Sequence, residues 1–351
     1  VTSISRQQIR EWLSLRGEEQ RLFHQKAAAL RDETVGNSLY FRGLVEASNI
    51  CRNNCFYCGI RNGNRETDRY TLSTDQIISV MGEMAGLGFS SMVLQSGERN
   101  DRAFIDYICE TLEAIKTGFP GTVITLSVGE QSEKLYRRFY ESGAERYLLR
   151  IETSKRSLYE TLHPPDMSFS ERIACLQSLK KTGYQVGTGV MIHLPGQDID
   201  DLAEDILFFK EMDIDMCGMG PYVPHMNAPL SFPQYRSYEA VNLTLNMIAA
   251  LRYVMPDINI AATTALETID SRGKEKGLNA GANVVMPQFS PEATRKDYHL
   301  YNNKPVDTAK DINIIAELKD LADKCGMIAV FDDPGNSFHY KARTNTNGST
   351  G

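Results

Sequence analysis

The chain has 351 residues, 42% of them apolar and 24% charged, with a formal charge of −7. That length fits one large α/β barrel or two ordinary domains. No uncharged apolar run reaches the roughly 18 residues of a membrane-spanning helix, and net acidity without a Lys/Arg stripe argues against a general nucleic-acid binder. The amino end, VTSISRQQIREW, lacks the apolar core and cleavage site of a secretory signal, so none is expected. Seven cysteines, an odd number, argue against a complete disulfide framework, and three of them fall within eight residues.

In chain order, residues 4–33 carry the period of two amphipathic helices, so 1–40 is expected as a helical preface. An alternation of helix, Gly or Asp turn and short β-branched run follows, with strands predicted at 43–47, 91–95, 123–127, 146–151, 185–192, 216–220, 259–262 and 283–286. The gaps leave room for a crossover helix each time, and the runs lack strict alternation, as expected of parallel strands buried on both faces. Eight such units predict a (β/α)8 TIM barrel over 41–303, with an open doubly wound sheet as the competing α/β arrangement. Ser73 with Gln76, and Ser168 with Glu171, have capping-box spacing before helix-period residues. Beyond the barrel, 304–340 is expected as an extension with a helix at 311–325 and a strand at 327–331. The tail 341–351, KARTNTNGSTG, offers almost nothing apolar and is expected to be unstructured. The chain therefore reads as a single domain.

The cysteine cluster is Cys51-Arg-Asn-Asn-Cys55-Phe-Tyr-Cys58, directly after the first barrel strand. In a parallel barrel this is a loop of the carboxyl-end face, where active sites are built. Thiolates spaced C-x3-C-x2-C can wrap one polynuclear centre. A four-iron cluster held by three cysteines leaves one iron open to a non-protein ligand. Two alternatives stand beside it: a zinc site completed by His163, His193 or His225, and three loop thiols without a shared partner.

The C-x3-C-x2-C spacing with Tyr57 before the last Cys resembles the radical S-adenosylmethionine (SAM) superfamily. Within it the chain is most similar to the [FeFe]-hydrogenase maturases of the HydE type, with biotin synthase and methylornithine synthase as relatives. The matching pieces run from VEASNICRNNCFYCGIR through VLQSGE, TLSVGE, RYLLRIET, LHPPDMSFSERI, LPGQDIDDL, GMGPYVPH, ATTALETI and AGANVVMPQ to YHLYNNK. The resemblance implies a [4Fe–4S] cluster on Cys51, Cys55 and Cys58 that reductively cleaves SAM to methionine and a 5′-deoxyadenosyl radical. It implies that Gln95, Ser96, Gly97 and Glu98 receive the SAM amino group, and that Glu152 and Arg172 hold its ribose and carboxylate. Tyr57 presents its backbone to the adenine edge, and Met191, Leu194 and Pro195 pack on the ring.

By the same resemblance Thr125, Arg146, Thr263, Thr264, Met286, Tyr298 and Tyr301 line an internal polar cavity. Arg146, Thr263, Thr264, Tyr298 and Tyr301 are the candidates for chemistry on the substrate. From the residues alone, Arg146 reads equally as a buried structural arginine, and His225 as a substrate contact or a capped loop histidine. Cys109, Cys175, Cys217 and Cys325 are expected as core thiols, so a second cluster is not expected. His193 and Met226 depart from the family pattern at the expected cavity mouth, which leaves the substrate open.

These readings imply a cytoplasmic enzyme of an anaerobe, with one [4Fe–4S] cluster, SAM and a low-potential electron donor. It would act on a small, cysteine-derived or iron-bound molecule in hydrogenase active-site assembly, with neither a nucleic-acid nor a membrane partner. The alternatives are a radical SAM amino-acid mutase resembling methylornithine synthase and a non-catalytic iron carrier.

Overall fold

The computed structural model describes residues 4–230, 237–305 and 313–347. Its strands are β1 (Ser38–Phe41), β2 (Gly43–Ser48), β3 (Ser91–Ser96), β4 (Val123–Ser127), β5 (Ala144–Leu148), β6 (Gln185–Thr188), β7 (Met191–Ile192), β8 (Met216–Cys217), β9 (Gly220–Pro221), β10 (Asn259–Ile260), β11 (Val284–Val285) and β12 (Ile328–Val330). Seven of them pair in the order β10-β8-β6-β5-β4-β3-β2, every pair parallel. The β11 segment bridges both edges of that sheet, through Ala261 to Val284 and Leu44 to Gln288. Leu44 N donates to Pro287 O at 2.8 Å, and Ala262 N to Val284 O at 2.9 Å. Eight positions close into a circuit, so the doubly wound alternative is excluded.

All eight predicted strand positions are occupied, but two runs read as continuous are broken. Gly189 lies so close to Gly218 that a Cβ would stand 1.9 Å from the Gly218 carbonyl oxygen. Beyond this contact β7 and β9 pair with each other, and their residues turn to line the barrel mouth. Strand β1 was not foreseen. It pairs with β11 and β12, extending the barrel seam downward.

Helix starts follow the sequence signals. Ser73 and Gln76 form a complete capping box. At Ser168 only half of it forms, the serine accepting from Glu171 N, while Asp198 and Asp201 make an unforeseen box. The two amino-terminal helices, Arg6–Ser14 and Gly17–Val35, dock through a ring stack: Trp12 lies 5.4 Å from Phe23 and 5.1 Å from Tyr253. Cys109 and Cys217 are buried as expected. Cys175 and Cys325 are half-buried, and all seven thiols are free.

The carboxyl-terminal extension corks the amino-terminal end of the barrel. Asn336 accepts from Arg146 at 2.7 Å and from Gln185 at 3.0 Å, while the Gly335 carbonyl accepts from Asn259 at 2.8 Å. The helix expected over 311–325 spans Ile314–Lys324, and residues 311–312 lie outside the described ones. The tail corrects the expectation: Phe338–Asn347 is helical, and 348–351 lie outside the described residues. A low apolar content did not prevent order, because His339 and Arg343 tie this helix to Asp213, Asp215 and Asp257.

Candidate active site at the barrel mouth

The cysteine loop leaves β2 and is pinned to the barrel by backbone bonds. Arg52 N donates to Glu98 O, Phe56 N to Leu162 O and Gly59 N to Leu300 O, at 2.8, 2.8 and 2.9 Å. The end of β3 presses against it. A Cβ on Gly97 would meet Ile50 O at 2.4 Å and Cys51 Cβ at 2.9 Å, so only glycine lets the two segments touch. Glu98, nearly buried, is paired with Arg52 at 2.8 Å and accepts from Glu130 N at 2.8 Å.

Burial raises all three thiol pKa values, that of Cys58 to about 12, and Cys51 raises both Cys55 and Cys58 further. As free thiols they stay protonated at neutral pH, and binding iron would deprotonate them. Among the described residues no three His, Cys, Asp or Glu side chains converge on a single-ion geometry. Three soft thiol donors on one loop, close enough to feel each other's charge yet not gathered on one point, fit a polynuclear iron–sulfur group. His163 Nδ1 donates to Tyr159 O at 2.8 Å, and its Nε2 faces the Tyr57 hydroxyl at 3.4 Å. Burial, then Arg172, lowers the His163 pKa to about 3, so the ring is neutral.

Above the barrel interior lies a cavity of about 150 Å³. It gathers Tyr57, Cys58, Glu152, Met191, Thr263 and Tyr301 of the residues singled out from sequence. Glu152 stands at φ 67°, a strained angle for a residue with a side chain. Its carboxylate accepts from Arg150 Nε at 3.1 Å through both oxygens. Arg172 is buried and reaches Glu130 and the Arg150 carbonyl. Leu194 packs with Met191 and Tyr222 in a small apolar cluster. Thr263 Oγ1 donates to Met219 O at 3.0 Å, and burial raises the Tyr301 phenol to about 12.

Other expected residues sit elsewhere. Arg146 is not at this cavity: fully buried in the middle of β5, it donates to Ser91 at 2.9 Å and to the carboxyl-terminal cork. Thr125 and Met286 line a separate, deeper void of about 30 Å³ with Arg42 and Met216. Tyr298 is buried, its hydroxyl accepting from Gln95 at 3.2 Å. Thr264 begins the helix Thr264–Ile269. His225 accepts at Nδ1 from Asn227 N at 3.1 Å and packs beside Gly59, which is the capped-loop reading.

Sequence reasoning missed Arg150, the arginine that does face the cavity. The signal was present: in ERYLLR the side-chain period of two carries the inward face from 146 through 148 to 150. It also missed a buried ion pair between Lys304 and Glu46, with Gln288 donating to Glu46 at 2.7 Å. Lys304 also donates to Tyr298 O at 2.9 Å.

Residues 45–209 match the family model of the radical SAM superfamily. Over 303 residues the chain is 42% identical to a [FeFe] hydrogenase maturase subunit HydE of Thermotoga maritima, covering 86% of this chain and 84% of that protein. It is 29% identical over 318 residues to a 3-methylornithine synthase of Methanosarcina acetivorans, covering 89% of this chain and 87% of that one. The crystal structure of methylornithine synthase (PylB) superposes with a TM-score of 0.79 at 25% identity, over 93% of this chain and 94% of that one. Closed barrel, cysteine loop and kinship agree: the chain belongs to the radical SAM superfamily and is an enzyme of that family, which implies a [4Fe–4S] cluster and SAM as cofactors.

Proposed function

We propose that this enzyme carries one [4Fe–4S] cluster on Cys51, Cys55 and Cys58 and fills a HydE-like role. Its substrate would be a small cysteine-derived or iron-bound precursor in [FeFe]-hydrogenase active-site assembly. The observation that carries the reading is the joining of the cysteine loop to the Arg150–Glu152 cavity through Cys58 and Tyr57. The 42% identity to a HydE maturase subunit over most of both chains supports the specific role.

When bound on Cys51, Cys55 and Cys58, the cluster would supply the single electron for reductive cleavage of SAM. The chain's residues bind, orient and exclude water. Gln95 to Glu98 offer carbonyl and carboxylate acceptors to the SAM ammonium group. Glu152 is assigned to the ribose, Arg172 to the carboxylate, and Met191 with Leu194 to the adenine face. Arg172 is held by Glu130 in the present structure, so SAM must share or displace that contact. Arg150, with Thr263 and Tyr301, is assigned to an anionic or zwitterionic substrate. The single cluster rests on the four remaining cysteines, two buried and two half-buried. The reducing requirement favours an anoxic cytoplasm and a low-potential electron donor. Among the described residues no helix is long and apolar enough to cross a membrane.

Anaerobic reconstitution should give about four irons per chain, and Cys55→Ala should abolish the cluster. Dithionite with SAM should yield 5′-deoxyadenosine. A normal cluster in Cys55→Ala sinks the ligand assignment, and about eight irons per chain overturns the single cluster. The likeness to methylornithine synthase supports a second reading, an amino-acid mutase. Mass analysis of products from lysine or ornithine incubations distinguishes it.

A further inference from the structure

No helix or strand lies between Ser48 and Thr74, so the backbone carbonyls of the cysteine loop need partners that regular structure does not supply. One side chain supplies four of these bonds. Arg69 Nη1 donates to Asn49 O at 2.6 Å and Ile60 O at 2.8 Å, and Nη2 to Arg61 O at 2.7 Å and Asn64 O at 3.0 Å. These carbonyls lie on both sides of the three cysteines, so one guanidinium ties the two roots of the loop together.

Its neighbours complete the staple. Asn49, fully buried, donates to Asp68 O and Asp297 O, both at 2.7 Å, and Asn64 donates to Gly59 O at 2.6 Å. Among the described residues Arg69 has no carboxylate within ion-pair distance, and it sits close enough to Cys51 and Cys58 to interact with their charge.

We propose that Arg69 is a positioning residue for the iron–sulfur cluster, preorganising the cysteine loop and holding an uncompensated positive charge beside it. This rests on reading Cys51, Cys55 and Cys58 as the cluster ligands. Lysine would keep the charge but loses the planar fork that spans four carbonyls. A fixed cation favours the more negative, one-electron-reduced cluster, because net charge and hydrogen bonding around the sulfurs set its potential. The two functions of Arg69 are therefore separable by substitution.

The test compares wild type, Arg69→Lys and Arg69→Gln in the full chain. In the iron-free protein, iodoacetamide labelling of Cys51, Cys55 and Cys58 is followed by mass spectrometry. It should be at least about fivefold faster in Arg69→Gln, with Arg69→Lys intermediate. In the reconstituted protein, a redox titration read by electron paramagnetic resonance should shift to more negative potential in Arg69→Gln. It should stay near wild type in Arg69→Lys. Unchanged labelling in Arg69→Gln overturns the staple. An unchanged midpoint there, or an equal shift in Arg69→Lys, overturns the charge role. Should wild type itself take up no cluster, the functional reading fails, while the labelling arm still decides the staple.

Discussion

Replacing Gly97 by alanine tests how closely the end of β3 abuts the cysteine loop. The new Cβ would stand 2.4 Å from Ile50 O, 2.8 Å from Ile50 C and 2.9 Å from Cys51 Cβ. Ordinary contact begins near 3.4 Å, so the loop must retreat by about 1 Å. No rotamer change relieves this, because the obstacles are backbone and a Cβ. Overpacking of this kind costs about 1–3 kcal/mol. With an unfolding entropy of about 2 cal/mol/K per residue, a chain this long loses about 1.4 °C of Tm per kcal/mol. The iron-free variant should therefore melt about 1–4 °C lower than wild type. The larger effect falls on iron loading, since a ligand must be held within about 0.5 Å of its working position. Differential scanning calorimetry and iron quantitation after reconstitution read the two effects. Gly82→Ala is the control: its Cβ meets nothing within 4 Å in a helix interior, so it should gain about 0.5–1 kcal/mol. Full iron content and unchanged Tm in Gly97→Ala would refute the close approach.

Three further outcomes are expected. His339 is bridged to Asp257 at 3.0 Å and Asp213 at 2.6 Å, which together raise its pKa from 6.5 to about 9. A folded pKa above the unfolded one contributes stability that is complete below about pH 6.5 and lost as pH rises through about 9. The aspartates are partly exposed, which leaves about 1–2 kcal/mol, or about 2 °C in Tm. The Tm gap between wild type and His339→Gln should shrink across that window, and a pH-independent gap would refute the bridge. Glu152→Gly and Glu152→Ala should both weaken SAM binding about tenfold or more by calorimetry. The glycine variant should be the more stable by about 1 kcal/mol, because it alone relaxes the φ of 67°. Equal stability of the pair would argue that the backbone there is unstrained.

Local information carried much of the architecture. The eight strand positions, the capped helix at Ser73 and the three cysteines follow from patterns confined to a few residues each. The one arginine that mattered at the cavity was misplaced by two steps of strand alternation. Arg146 and Arg150 belong to the same motif and the same inward face. Their distance from the barrel mouth differs, and composition does not record depth along a strand.

Spacing and residue chemistry alone determined the cysteine loop, because C-x3-C-x2-C needs no distant partner to bring its thiols onto one loop. Only the tertiary structure decided what surrounds it. Lys304 meets Glu46 across 258 residues of sequence, and Arg146 meets the carboxyl-terminal Pro334 across 188. Arg69 finds its four carbonyls through a loop without regular structure. The Lys304 and Arg146 contacts exist because barrel closure brings together chain segments whose separation no local pattern encodes, whereas those of Arg69 arise from the way the loop folds back on itself. The break after β6 has a tertiary origin too: Gly189 yields to Gly218, just past the neighbouring β8.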